Sequence, residues 1–253
     1  MLLLEYRELI INLVISDLKI KYSNSILGFA WSLINPLLMM AILYLVFNNV
    51  FKSGQNNFII FLLIGILSWR FFSLVTASSL QSIVSNPSLI KKIYIPREAL
   101  TISKVISGLI SSVLEFAVLL PLLVALSVGI RPTILLFPAI QFIYFLLICG
   151  ISLILASVYV YVRDLNQIWE VMLQLGFFAS PIVYSPTLVP ADYRFLYMLN
   201  PIARLISMYR DVFLYGVVPA LSDFLITLTF SAALLMAGAA IFKRLSRRFA
   251  EEV

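Results

Sequence analysis

Long apolar stretches separated by short polar breaks are the dominant pattern of this chain. A helix needs about 20 apolar residues to cross the hydrocarbon core of a bilayer, and six stretches reach or approach that length. The breaks contain Pro, Gly, Asn and charged residues, which are typical of turns. The pattern therefore predicts six transmembrane helices, at Leu27–Phe51, Phe58–Ile83, Val105–Val128, Ile134–Val162, Ile168–Tyr184 and Phe224–Phe242.

The residues before the first apolar stretch predict a different kind of helix. Polar residues recur at positions 5, 8, 12, 16 and 19, which is helical spacing, and residues such as Ile10 and Val14 fall largely on the other side. We predict an amphipathic helix over residues 1–24 that lies in the membrane interface. A charged lead-in that only anchors the first span is the alternative. A signal peptide is not expected, because charged residues interrupt the apolar run and no small-residue cleavage site follows.

The section over residues 185–222 is too long and too apolar for an ordinary loop, and it contains four prolines. Its helical stretch, Ile202–Tyr215, is too short to span a membrane and carries Arg204, Arg210 and Asp211. We predict short re-entrant helices that dip into the outer leaflet. A surface helix packed over the bundle is the alternative.

Composition supports the bilayer as the solvent. The chain is 62% hydrophobic and 12% charged, with a mean hydropathy of +1.05, whereas soluble domains are about half apolar and a quarter charged. The predicted fold class is all-α integral membrane, with residues 1–253 forming a single transmembrane domain. The one cysteine, Cys149, cannot form an internal disulfide, and histidine is absent. Imidazole metal sites and His-based acid–base catalysis are therefore excluded.

Lys and Arg are distributed unevenly between the two sides of the predicted bundle. With the N-terminus inside, the inner segments hold 12 of them and the outer segments hold 5. The positive-inside rule then places both termini in the cytoplasm. The pI of about 9.5 reflects this bias, and basic residues scattered at helix ends do not indicate nucleic-acid binding.

Two charged residues fall deep inside predicted spans. Arg70 lies 12 residues beyond Phe58, and Glu115 lies 10 residues beyond Val105, so both fall near mid-depth of neighbouring antiparallel helices. A charge at the bilayer centre costs about 2.5–3.5 kcal/mol on insertion scales. We predict that Arg70 and Glu115 form a pair, or that both face a wet channel. An ion-coupled transporter or channel is an alternative function, although it would favour more intramembrane carboxylates and matched halves.

Four stretches carry motifs that occur together and in a fixed order. They are Asp17-Leu-Lys-x-Lys-Tyr22 with Ser25-x-Leu27-Gly28-x-x-Trp31 and Pro36; Asn86-Pro-Ser-Leu-Ile-Lys-Lys-Ile-Tyr-Ile-Pro96; Arg163-Asp-Leu165 with Ser180-Pro-Ile-Val-Tyr184; and Asn200-Pro201 with Tyr209-Arg210-Asp211. In this order they resemble the transmembrane subunit of polysaccharide-exporting ATP-binding-cassette transporters, which carry O-antigen, capsule or teichoic-acid chains. Ser16 departs from the family, which commonly has arginine before the aspartate.

The resemblance implies partners, a substrate and a location. The chain has no G-x-x-x-x-G-K-[ST] loop to bind nucleotide phosphates, so it is not itself an enzyme, and two copies of a separate ATPase would bind ATP and Mg. The resemblance implies a homodimer in the bacterial cytoplasmic membrane, with a channel between protomers for a polyprenyl-pyrophosphate-linked polysaccharide. An exporter of the same architecture for a small lipid, drug or peptide is the alternative. No cofactor and no metal site are expected in this chain.

The inner loop over residues 85–97 is the predicted ATPase-docking element. Asn86 can cap a short helix with Pro87 at its first position, and Pro96 ends it. An ordinary basic inner loop is the alternative, and the resemblance favours docking. The predicted docking residues are Asn86, Pro87, Leu89, Ile90, Lys91, Lys92, Ile93 and Pro96.

Two further sets of residues are candidates for contact with the substrate. Aromatic rings offer apolar faces along which sugars can slide, and lipid-facing packing is the alternative for each ring. The candidate channel residues are Tyr44, Phe47, Phe71, Phe72, Phe177, Phe178 and Tyr184. Basic residues near the inner interface are candidates for the anionic lipid headgroup, or for simple anchoring to anionic lipids; these are Lys19, Lys21 and Arg163.

Overall fold

Helices make up nearly all of the described chain, as the apolar pattern predicts. The computed structural model describes residues 6–252 apart from 24–27, 29, 50–56, 88, 90–95, 189, 191–192, 194–196 and 198. No strand occurs within these residues. The helices are α1 (Arg7–Ser23), α2 (Ala30–Asn49), α3 (Phe58–Leu80), α4 (Glu98–Ala117), α5 (Leu119–Ala125), α6 (Phe137–Tyr159), α7 (Leu165–Ala179), α8 (Pro201–Arg210), α9 (Leu221–Leu245) and α10 (Phe249–Glu252).

Five helical segments are long and apolar enough to cross a membrane, and they correspond to five of the predicted spans. They are Ala30–Phe47, Phe58–Leu80, Glu98–Ala125, Pro132–Tyr159 and Leu221–Arg248. The remaining predicted span, Ile168–Tyr184, falls largely on α7. This helix has 15 residues and so extends about 22 Å at 1.5 Å per residue, which is less than the hydrocarbon thickness of about 30 Å.

Helix α3 is the centre of the bundle. Its residues from Ile60 to Trp69 are all buried, and it packs against α2, α4, α6, α7 and α8. A helix that is apolar on all sides must be surrounded by protein or lipid, and here other helices of the same chain surround it. The core therefore lies around α3.

Helix α1 packs beside α4. Val14 is buried, while Ile11, Ile15 and Ile20 are exposed. Exposed isoleucines on a helix that also carries charges are consistent with a position at the membrane interface. At the same end of the molecule, Tyr161 donates a hydrogen bond to the Leu245 carbonyl at 2.8 Å. We call this the basic end, because it also carries Lys243, Arg244, Arg247 and Arg248.

Helices α6 and α9 touch through their backbones. A Cβ on Gly238 would overlap the carbonyl oxygen of Gly150, and a Cβ on Gly150 would lie 2.7 Å from the Leu234 carbonyl carbon. Small residues allow membrane helices to approach closely without a hydrophobic driving force. These two glycines therefore set the distance between α6 and α9.

We expect Gly238→Leu to push α9 away from α6. Overpacking of this kind costs about 1–3 kcal/mol, so the variant should unfold at a lower temperature in detergent. The matched control is Ala237→Leu, because Ala237 is the exposed neighbour on the same helix. Equal melting temperatures for the two variants would show that the close approach does not matter for stability.

Candidate functional site

One face of α4 is polar although the helix is otherwise apolar. Lys104, Ser107, Ser111 and Glu115 follow one another at intervals of three, four and four residues. Residues at this spacing lie on the same side of a helix. Ser107, Ser111 and Glu115 are buried, so the chain itself covers most of this polar face.

Helix α1 is joined to the start of this face by an ion pair. Lys104 Nζ donates to Asp17 Oδ1 at 2.6 Å. The second carboxylate oxygen, Oδ2, is buried and has no hydrogen-bond partner among the described residues. The Asp17 carboxylate is therefore only partly satisfied by its pairing.

A second contact joins α1 to α4 one turn further along. Lys21 Nζ donates to Ser111 Oγ at 3.1 Å, and the Tyr22 hydroxyl lies 3.0 Å from the same oxygen. The Ser111 hydroxyl itself donates a hydrogen bond to the Ser107 carbonyl at 3.1 Å. Because a serine hydroxyl has one proton to donate, Tyr22 must be the donor to Ser111.

A groove of about 330 Å³ opens between α1, α3 and α4. It leads into a smaller pocket bordered by Lys21, Arg70, Ser111 and Glu115. The groove and the pocket share Lys21, Leu74, Val75 and Gly108, so together they form one path along α4. The groove is lined by Asp17, Ile20, Lys21, Leu74, Val75, Ser78, Lys104, Ser107 and Gly108.

The inner end of this path contains the two intramembrane charges, and the structure brings them together. Arg70 Nε lies 3.7 Å from Glu115 Oε2. Arg70 Nη1 also donates to Asn35 Oδ1 at 2.7 Å. The side chain of Glu115 is 4% exposed and that of Arg70 is 19% exposed. Helices α2, α3 and α4 thus meet around one buried carboxylate.

A chain of buried hydrogen bonds continues from α4 to the opposite side of the molecule. Gln141 Nε2, on α6, donates to Ser112 Oγ at 3.1 Å. Gln141 Oε1 accepts from the Tyr209 hydroxyl, on α8, at 2.5 Å. All three side chains are buried, so breaking either bond would leave a polar group without a partner.

Arg210 holds α8 in place at the end opposite to the basic end. Its side chain is 2% exposed, and Nη2 donates to the carbonyls of Phe61 at 3.2 Å and Ile182 at 3.0 Å. A Cβ on Gly65 would lie 3.0 Å from Nη2, so the glycine leaves room for the guanidinium. Nε and Nη1 of Arg210 have no hydrogen-bond partner among the described residues.

Other polar contacts surround α8. Arg204 pairs with Asp223, and Arg131 donates to the Tyr215 carbonyl. Burial, with a further contribution from the Asp223 carboxylate, raises the pKa of Asp211 to about 6. Arginine side chains make the polar contacts around α8, whereas lysine side chains make the contacts between α1 and α4.

The structure separates the candidate channel aromatics into inward-facing and outward-facing rings. Phe71 and Phe72 are buried inside the protomer, where Phe71 packs on Tyr144 and Phe72 on Trp69. They present no surface to a channel between protomers in this structure, because α3 is covered by neighbouring helices. Tyr44, Phe47, Phe177 and Tyr184 are partly buried against the core. Phe178 is 70% exposed.

The three candidate headgroup residues do not form one cluster. Lys21 lines the groove, while Lys19 is exposed on α1 and is not among the groove residues. Arg163 lies over the Tyr159 ring at 5.5 Å and donates to the Glu252 carbonyl at 3.3 Å. Sequence reasoning placed Asp17 in a family motif without predicting its contact, and it missed Lys104 and Ser111, although the spacing along α4 was a readable signal for those two.

The docking loop is only partly described. Pro87 and Leu89 have helical backbone, and Asn86 Nδ2 donates to the Ser82 carbonyl at 2.9 Å. Pro96 lies two residues before the start of α4 at Glu98, and its carbonyl accepts a hydrogen bond from the Ala99 amide at 3.0 Å. The predicted docking residues Ile90, Lys91, Lys92 and Ile93 lie outside the described residues.

A metal centre is not indicated by the described part of the chain. Within it, no group of three or more His, Cys, Asp or Glu side chains is arranged to hold a metal ion.

Comparison with known proteins gives a consistent result. The chain matches the ABC-2 type transporter family over residues 8–214. It is 32% identical over 255 residues to the O-antigen export system permease protein RfbA of Myxococcus xanthus, covering 99% of this chain and 97% of that protein. It is 30% identical over 249 residues to the protein of the same name from Klebsiella pneumoniae, covering 96% and 94%. It is 23% identical over 211 residues to the polysialic acid transport protein KpsM of Escherichia coli, covering 81% of this chain and 80% of that protein.

The Arg70–Glu115 pair yields a testable prediction. Arg70→Ala and Glu115→Ala should each lower the free energy of unfolding. The double variant should lose less stability than the two single variants together, because each single change leaves one buried charge without its partner. We expect a coupling of about 0.5–2 kcal/mol, measured by thermal unfolding in detergent.

The control for this cycle is Arg247→Ala combined with Glu115→Ala. Arg247 is exposed at the basic end, so its effect should simply add to that of Glu115→Ala. Additive effects for Arg70→Ala and Glu115→Ala would rule out a stabilising pair.

Proposed function

We propose that this chain, which belongs to the ABC-2 type transporter family, is the membrane subunit of an exporter that moves a lipid-linked polysaccharide across the bacterial cytoplasmic membrane. The observation that carries the proposal is the similarity over nearly the whole chain to permeases named for O-antigen export. A lipid-linked polymer needs a route for a charged headgroup, and a groove that holds Asp17, Lys21 and Lys104 among apolar side chains supports such a route.

The energy source would be a separate ATPase. The chain lacks a phosphate-binding loop, so two copies of a partner would bind ATP and Mg. We assign the docking site to residues 85–97, where Pro87 and Leu89 have helical backbone. Because this loop joins α3 to α4, an ATPase docked on it would pass its movement to those spans.

We assign the basic end to the cytoplasm, with both termini there, from the 12-to-5 distribution of Lys and Arg. A sixth crossing would combine α7 with the turn that follows it. Ser180, Pro181, Ile182 and Val183 are buried, which supports their continuing the path of α7 through the membrane. Helix α8 is too short to span, yet Tyr209 and Arg210 are almost fully buried, and this supports a re-entrant helix within residues 185–222.

The channel would lie between two copies of the chain, with α7 as one wall. Gln167, Glu170 and Gln174 are exposed on α7 at intervals of three and four residues, so they share one face. Polar side chains that face lipid are costly, so this face is better suited to a wet channel. Phe178 lies one turn further along and is exposed, where its ring could contact a passing sugar.

Deleting the gene for this chain tests the proposed function. We expect the polymer to disappear from the cell surface and to accumulate inside, because synthesis continues while export stops. Surface labelling before and after cell lysis measures both pools. Unchanged surface polymer together with altered sensitivity to small toxic compounds would instead favour an exporter of small molecules.

The two kinds of aromatic residue should respond differently to truncation. Phe72→Ala should lower stability by about 3–5 kcal/mol, because the ring is buried. Phe178→Ala should change stability by about 0.5 kcal/mol or less but reduce polymer export, because the ring would line the channel. Melting in detergent and surface labelling give the two readouts.

Phe142→Ala is the matched control for Phe178→Ala. Phe142 is 57% exposed on α6, and it has no assigned role in the channel. If both variants export as well as the wild type, Phe178 is not part of the polymer path.

A further inference from the structure

We infer that the channel carries a polysaccharide without negative charges, and that Glu170 on α7 is the residue that discriminates against polyanions. The inference rests on the proposed function, in which α7 is one wall of the channel. It names the class of polymer that this wall can pass. The observation behind it is an exposed carboxylate on a helix that contains no lysine and no arginine.

Contacts on one side of α7 fix which of its residues face outward. Trp169 Nε1 donates to Thr76 Oγ1 on α3 at 3.1 Å. A Cβ on Gly176 would lie 2.7 Å from the Trp69 ring, so α7 and α3 are in close contact there. Trp169 and Gly176 are two turns apart and therefore share one side of the helix. Glu170 lies about 100° around the helix from Trp169 and is exposed.

The Glu170 carboxylate is held in a defined position without being neutralised. Asn166 Nδ2 donates to Glu170 Oε1 at 3.1 Å, and Asn166 Oδ1 accepts a hydrogen bond from Gln81 Nε2 at 3.0 Å. Among the residues that the structure describes, none forms an ion pair with Glu170. Its negative charge is therefore presented to any molecule that passes along this side of α7.

The rest of the proposed wall supplies no positive charge. Glu170 is the only charged residue of α7, and Gln167 and Gln174 on the same face carry neutral amides. Helix α2, which carries two of the candidate channel aromatics, contains no charged residue. A homodimer would therefore present two Glu170 carboxylates to the polymer, and no ammonium or guanidinium group from these two helices.

Such a wall suits neutral sugars and opposes acidic ones. Sugar hydroxyls can exchange hydrogen bonds with amides and carboxylates, whereas a sugar carboxylate or phosphate would be repelled, as anions are by acidic rings in channels. Two like unit charges about 6 Å apart, at an effective dielectric constant of about 40, slow passage about tenfold. The pyrophosphate of the lipid would meet Glu170 once, but an acidic polymer would meet it at every repeat.

The charge of the natural polymer gives the first test. Cells that lack the gene for this chain are expected to accumulate the polymer, which mild acid releases from its lipid. We expect the released polymer to pass through an anion exchanger at neutral pH without retention. Retention would overturn the inference, because the natural cargo would then be a polyanion. Absence of accumulated polymer would instead overturn the proposed function.

A matched pair of probes tests the role of Glu170. The purified transporter with its ATPase is reconstituted in liposomes with the accumulated lipid-linked polymer, either untreated or with part of its hydroxyl-bearing carbons oxidised to carboxylates. The wild type should transport the oxidised form about tenfold more slowly than the untreated form. Glu170→Gln should reduce this difference about tenfold, because the amide keeps the shape of the side chain and removes its charge. Transport is measured as ATP-dependent protection of the polymer from an added glycosidase.

Glu8→Gln is the matched control, because Glu8 is exposed on α1 and lies outside the proposed wall; the ratio of the two rates should stay within about twofold of the wild-type ratio. A purely structural role for Glu170 predicts a lower melting temperature in Glu170→Gln and an unchanged ratio of rates. Equal rates for the two polymers in the wild type, or an unchanged ratio in Glu170→Gln, would overturn the assignment of Glu170. Export of the untreated polymer in the same experiment would leave the proposed function intact.

Discussion

The pairing of polar groups within an apolar interior is the constraint on which the rest of this structure depends. Helix α3 is buried along nearly its whole length, and Arg70 is its only charged residue. Arg70 reaches Glu115 on α4 and Asn35 on α2, so the rotations of three helices are fixed together. Turning α4 by one residue, about 100°, would remove Glu115 from Arg70 and point the carboxylate elsewhere in the membrane. The contact therefore specifies how the helices face one another, which apolar packing alone does poorly.

The same constraint links the two ends of the bundle. Tyr209 and Arg210 are neighbours on α8, and their side chains donate hydrogen bonds to different helices and turns. Tyr209 donates to Gln141, which in turn donates to Ser112 on α4, while Arg210 donates to backbone carbonyls of Phe61 and Ile182. A shift of α4 that breaks the Ser112–Gln141 bond would leave a buried amide unpaired. Helices α4 and α8 are consequently expected to move together, and this expectation joins the groove to the far end.

Features that depend on residues close together in the sequence, or on depth along neighbouring helices, could be predicted, whereas other contacts between distant residues could not. The spans came from runs of apolar residues, and the meeting of Arg70 and Glu115 came from counting depth along antiparallel helices. The Asp17–Lys104 contact joins residues 87 positions apart across a helix packing that no local pattern specifies. Phe71 and Phe72 were predicted to line the channel and are buried instead, because a helix that is apolar on every side gives no signal of which face is outward. The length of α7 was overestimated for a related reason, since apolar residues continue beyond Ala179 into a turn.

Asp17 and Glu115, which line two neighbouring cavities, form ion pairs that differ in depth. Glu115 is 4% exposed and lies beside an arginine that is itself held by Asn35, so removing its partner would strand a charge in the deepest part of the bundle. Asp17 is 17% exposed and shares one oxygen with Lys104, which is 30% exposed. Both side chains of that pair are therefore partly exposed, although Asp17 Oδ2 itself is buried. The penalty for separating charges falls with hydration, so separating Asp17 from Lys104 costs less than separating Glu115 from Arg70, and the inner pair constrains the helices more strongly.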